Sequence, residues 1–98
     1  MQHLPEEPIH PGRVLFDDFI ADFGLACATV ATETGIPLPA LESLEKGDAH
    51  ITAEMALRLA RYFSTSPEFW LNLQRTYDLA QASKTAKGLD QIRPVAAA

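Results

Sequence analysis

Two helix starts are written into the middle of this chain, and together they leave little room for anything but helical packing. Thr52 offers a hydroxyl to the first-turn amides of a helix, and Glu54 places a carboxylate where the helix dipole favours one. Met55, Ala56, Leu59, Ala60 and Phe63 then recur at helical spacing as a core stripe. Ser66 and Pro67 open a second helix, with a capping hydroxyl followed by the residue that tolerates the first helical position. Phe69, Trp70, Leu73 and Tyr77 continue it at the same period. Glu54 and Arg58 stand four apart in the favourable order, a pair stabilising by about 0.3 kcal/mol.

The flanking sequence obeys the same period. Pro11 starts a first helix whose stripe is Leu15, Phe16, Phe19, Ile20 and Phe23, and Gly24 ends it. A short second helix is predicted from about Ala26 to Thr34, with Val30 and Ala31 facing inward and Gly35 closing it. A third runs from Pro37 or Pro39 to Lys46, burying Leu41 and Leu44 and ending at Gly47. After Ala82 the stretch Ser83-Lys84-Thr85-Ala86-Lys87-Gly88 has little to bury and reads as a flexible linker. Leu89, Ile92 and Val95 can dock beyond it as a short piece, while Pro94 and the last alanines favour fraying. The expectation is an all-α chain of five helices: an N-terminal arm at 1–8, a domain at 9–82 and a C-terminal tail at 83–98.

A chain of 98 residues supports one core. No apolar run approaches the roughly 20 residues of a bilayer span, and the first residues lack a basic stretch followed by an apolar one. With Cys27 alone there is no intrachain disulfide, which fits a reducing cytoplasm. A small apolar residue on a helix normally packs, so Cys27 is read as packing rather than as a reactive thiol. The net charge is -5 and unevenly spread. Residues 1–24 set Arg13 against Glu6, Glu7, Asp17, Asp18 and Asp22; only the tail is net basic, with Lys84, Lys87 and Arg93 against Asp90. An acidic N-terminal half suits a basic protein partner and opposes contact with phosphates.

Two short helices joined through a glycine turn form the helix-turn-helix pattern, in which the second helix enters the major groove. Ala31 lets the helices approach, Gly35 takes the turn, and Ile36 and Leu44 bury the back of the reading helix. Together with Ile9-His10-Pro11-Gly12 and the two downstream helices, residues 8–80 resemble the HigA-type (VapI-like) antitoxins. That resemblance implies a five-helix Cro/C1-repressor-like helix-turn-helix domain that acts as a homodimer. It implies binding of a HigB/RelE-like toxin that cuts messenger RNA, and repression of its own operon at operator DNA.

The groove face departs from the family pattern. Members of this class usually begin the second helix with a serine cap and a glutamine, where this chain has Ala26 and Cys27. Their reading helix usually opens with Ser, Arg, Thr or Gln, where this chain has Pro37-Leu38-Pro39-Ala40. No side chain in that run makes a bidentate bond to a base edge, and Glu42 and Glu45 add carboxylates near the phosphate positions. The candidate DNA contacts are Leu38, Pro39 and Ala40 in the opening turn, where Leu38 and Ala40 can touch thymine methyl groups. Ser43 is a donor or acceptor, Thr29 and Thr32 are donors to phosphate, and Lys46 and His50 reach phosphate. Backbone amides at the two helix starts can also meet phosphate. Operator binding is therefore expected to be weak.

The histidines His3, His10 and His50 do not cluster at metal-ligand spacing, and His10 is read as a capping or packing residue. No nucleophile, base and orienting residue form a set, and no phosphate loop is present, so neither an enzyme nor a cofactor is expected. If the aromatic stripe of the fifth helix forms a dimer surface, Asn72, Gln74 and Arg75 are its polar rim. Two alternatives stay open: a plain transcriptional regulator, and a helix-turn-helix scaffold kept for protein interaction after losing DNA binding.

Overall fold

The computed structural model describes residues 7–95. Most of the arm at 1–8 and the terminal alanines lie outside them. Five helices account for the described body, and no strand occurs among the described residues. Helix α1 opens with an α turn at Pro11–Arg13 and continues as a π-helical stretch, Val14–Ile20. Helices α2 (Cys27–Thr34) and α3 (Leu38–Glu45) form the short pair; α4 (Ala53–Phe63) and α5 (Pro67–Thr85) form the longer one.

The caps read from the sequence are made. Thr52 Oγ1 accepts from the Met55 amide at 3.2 Å, and Ser66 Oγ accepts from the Phe69 amide at 3.1 Å. His10 caps α1, its Nδ1 accepting from the Gly12 amide at 2.9 Å. The core draws Leu15, Phe16 and Ile20 from α1, Val30 from α2, and Leu41 and Leu44 from α3. Ala56, Leu59, Ala60 and Phe63 of α4 and Trp70 of α5 join it, with Ile36 and Ile51 from the connecting segments. Trp70 is fully buried, and its indole N–H donates to Thr65 Oγ1 at 2.7 Å, so the large apolar ring keeps its polar atom satisfied.

Within the helices, three expectations are corrected. The stripe of α1 does not reach Phe23, which is 63% exposed and lies against Phe63 with ring centroids 5.8 Å apart. The reason is local: regular helix stops at Ile20, and a hydrogen-bonded turn over residues 21–24 ends at Gly24 with φ +66°. Within α1 the wider π turn sets residues four and five apart on one face, so Leu15, Phe16, Phe19 and Ile20 all meet the core. Second, α5 continues through Ser83 and Lys84 to Thr85, where the sequence reads as linker; the Thr85 hydroxyl donates back to the Gln81 carbonyl at 3.3 Å. Third, Gln74 is no rim residue. It is buried, its Oε1 accepts from the Ile51 amide at 2.7 Å, and its Nε2 donates to Asp78 at 2.9 Å.

Past α5 the chain makes one 3-10 turn, Leu89–Gln91, and Leu89, Ile92 and Val95 stay exposed instead of docking on the body.

Candidate nucleic-acid interface

The turn between α2 and α3 is built around Gly35, at φ +78°. A β-carbon there would be strained by that backbone and would stand 2.7 Å from the Arg58 guanidinium. Arg58 is placed to clamp the turn. One terminal nitrogen donates to the Thr34 carbonyl at 2.9 Å, while Nε and the other terminal nitrogen hold Glu54 Oε2 at 3.1 and 3.0 Å. The guanidinium thus satisfies an end carbonyl of α2 and opposes the negative end of its dipole. Thr34 adds a local lock: its hydroxyl donates to the Val30 carbonyl at 2.6 Å and accepts from the Ile36 amide at 3.1 Å.

At the far end of α3, Gly12 lets α1 approach closely. A β-carbon there would stand 1.9 Å from the Leu44 carbonyl oxygen, inside any allowed contact. The turn before α3 and the last turn of α3 are therefore each fixed from another helix, by Arg58 of α4 and Gly12 of α1.

Most of the predicted contacts lie on α2, α3 or the residue after α3. Thr29 and Thr32 are exposed on α2, where they line a shallow depression with Ala28 and Glu33. The Thr32 hydroxyl already donates to the Ala28 carbonyl at 3.1 Å. Pro39 and Lys46 are exposed; Leu38, Ala40 and Ser43 are half-buried, and Ala40 packs on the core. His50 is drawn elsewhere. Its Nδ1 lies 3.0 Å from Gln74 Nε2 and 3.7 Å from Asp78 Oδ1, both on α5.

Charge on this face is mixed. Glu42 and Glu45 are exposed on α3, and both push the Cys27 thiol pKa up, adding to the larger effect of burial. Their field therefore reaches the start of α2. Cys27 is half-buried against the core with a raised pKa, which makes it a packing residue and a poor nucleophile.

The helix starts divide into two kinds. α1, α4 and α5 are capped by the side chains of His10, Thr52 and Ser66. α2 and α3 begin at Ala26 and Pro37, which offer no side-chain acceptor. The two uncapped helices are those of the helix-turn-helix.

The Helix-turn-helix family (HTH_3) matches residues 28–70. The chain is 32% identical to virulence-associated protein I of Dichelobacter nodosus, over 89% of this chain and 81% of that protein. It is 30% identical to antitoxin HigA-1 of Vibrio cholerae, over 81% of this chain and 74% of that one. Among solved structures, Pseudomonas aeruginosa antitoxin HigA with the higBA promoter superposes with a TM-score of 0.83. The identity there is 37%, covering 92% of this chain and all of that one. The chain belongs to the HigA-type, VapI-like family of helix-turn-helix antitoxins.

That membership makes it a non-enzymatic helix-turn-helix protein. Among the described residues no helix is long and apolar enough to cross a membrane. Sequence reasoning missed two residues that shape the interface. Arg58 was visible only as half of a surface ion pair with Glu54. Gln74, one turn after Trp70 on the buried side of α5, carried a positional signal that its polarity masked.

Proposed function

We propose that this chain is the antitoxin of a toxin–antitoxin pair, and that its homodimer represses its own operon. The observation that carries the reading is the close superposition, over nearly the whole chain, on an antitoxin HigA whose structure holds promoter DNA. The uncapped start of α2 supports it, because the free amides of Cys27 and Ala28 are ready phosphate partners that need no particular side chain; α3 adds only the Leu38 amide, since Pro39 has no N–H and Ala40 donates to the Pro37 carbonyl at 3.0 Å. Lys46, Thr29 and Ser43 supplement them, and Leu38 with Ala40 supplies apolar contact to thymine methyls. His50, turned to α5, contributes to phosphate binding only by leaving Asp78.

Neutralisation needs no chemistry. A stoichiometric complex that covers the toxin's RNA-binding face suffices, and the acidic N-terminal half suits a basic HigB/RelE-like toxin. The test is co-expression with the neighbouring short gene. Growth arrest by that gene alone, relief by this chain, and co-purification of both are expected. Absence of any such toxic neighbour, with promoter repression intact, makes the protein a plain regulator.

A second reading has an observation of its own. No side chain exposed on α3 provides a bidentate base contact, and Glu42 and Glu45 oppose phosphate. A scaffold retained for protein interaction would show toxin binding without any promoter repression.

A further inference from the structure

One side of the molecule carries an apolar face that the fold leaves open. Phe23 and Leu57 are 63% and 60% exposed. Two shallow depressions of about 440 and 430 Å³ meet at Tyr62; Leu57 lines one, and Phe23 and Leu25 line the other. Its rim is mainly acidic. Asp22 precedes Phe23, exposed, and Glu33 lines the first depression. Of the two arginines there, Arg58 is held by Glu54 and the Thr34 carbonyl, which leaves Arg61.

The opposite end of the chain has the complementary character. Residues 86–95 are exposed throughout, and they include three uncovered apolar side chains, Leu89, Ile92 and Val95. The tail is the one net basic segment, with Lys84, Lys87 and Arg93 against Asp90. It cannot simply fall onto its own chain's face. α5 starts beside that face, where Phe69 and Trp70 pack on Phe19, and its 19 residues carry the tail about 28 Å away. The molecule is correspondingly drawn out, 52 Å long and 23 by 21 Å across.

We propose that the tail of one chain docks on the face formed by Phe23, Leu25, Leu57 and Tyr62 of a second copy, and that the exchange is reciprocal. Two α5 helices lying antiparallel bring the end of each to the start of the other, which is where the partner's face begins. Leu71 and Leu79, 37% and 45% exposed on α5, then meet across the two-fold axis. The apolar residues of the tail fill the depressions, its basic residues meet Asp22 and Glu33, and Asp90 has Arg61 to face.

This inference rests on the homodimer of the proposed function, and its test reads the two apart. Full-length chains with Cys27→Ala are made in two forms, one carrying Leu57→Cys and the other Ile92→Cys, then mixed under mild oxidation. A disulfide between unlike chains is expected, and none when Thr32→Cys replaces Leu57→Cys. In parallel, Leu89→Glu/Ile92→Glu changes only exposed residues, so helicity should be kept while the dimer dissociates about tenfold more readily in sedimentation equilibrium. A wild-type monomer, or a dimer that neither cross-links nor weakens, overturns the exchange. Promoter binding by the wild-type chain reports separately on the antitoxin reading.

Discussion

At the scale of single residues, polar groups placed against the core carry more of this fold than the sequence discloses. Gln74 satisfies the buried Ile51 amide, so Gln74→Ala should destabilise by about 2 kcal/mol, read as a lower urea midpoint. Ser64 ends α4 in the left-handed region, at φ 58° and ψ 45°. Ser64→Gly should therefore gain about 0.5–1 kcal/mol, and a loss would mean that its side chain holds something else. His10 is kept neutral: burial lowers its pKa most, His50 adds to the lowering, and the Ala49 backbone bond works against both. The unfolded chain thus binds the extra proton more readily than the folded one. The stability of the neutral cap is full above the ordinary imidazole value of about 6.5 and is lost as pH falls through the lower folded value. His10→Asn keeps an acceptor oxygen at the cap. Its urea midpoint should fall less than the wild type's between about pH 7 and pH 5. The caps Thr52 and Ser66 were legible because hydroxyl, proline and apolar period stand together in sequence. Gln74 was not, since its partners at Ile51 and His50 are brought to it only by tertiary packing.

At the scale of elements, the helix-turn-helix is held from outside itself. Arg58 on α4 fixes the end of α2, and Gly12 in α1 admits the Leu44 carbonyl of α3. Gly35→Ala meets both a positive φ and the guanidinium, and should cost about 1–2 kcal/mol in urea unfolding; Arg58 would have to shift to accept it. The number and order of the helices were legible from the glycines at 24, 35 and 47 and from the apolar period between them. The ends were less so. Phe23 fits a helical stripe in sequence but follows the last regular turn of α1, and Ser83–Thr85 reads as linker yet extends α5. On the groove face, Glu42→Gln/Glu45→Gln removes two carboxylates and should tighten binding to promoter and scrambled duplex alike, by severalfold, in a gel-shift titration. Unchanged affinity would place α3 away from the phosphates.

At the scale of the whole molecule, an acidic chain with a helix-turn-helix has to win DNA affinity from few contacts. The -5 charge predicts little counterion release, so the salt dependence of binding should be shallow. The lack of a bidentate side chain in the opening turn of α3 was legible from sequence alone, and it led to the expectation of methyl contact through Leu38 and Ala40. The missing cap of α2 was legible as well, since Ala26 has no acceptor; that α3 also starts uncapped, after Pro37, follows only once its first residue is fixed at Leu38. The most direct measurement is a fluorescence-anisotropy titration of the full chain and of Lys46→Glu, against its own promoter and a scrambled duplex, at low and physiological salt. Promoter-selective binding that falls gently with salt and is lost in Lys46→Glu is expected. Equal binding to both duplexes, or none, would contradict it.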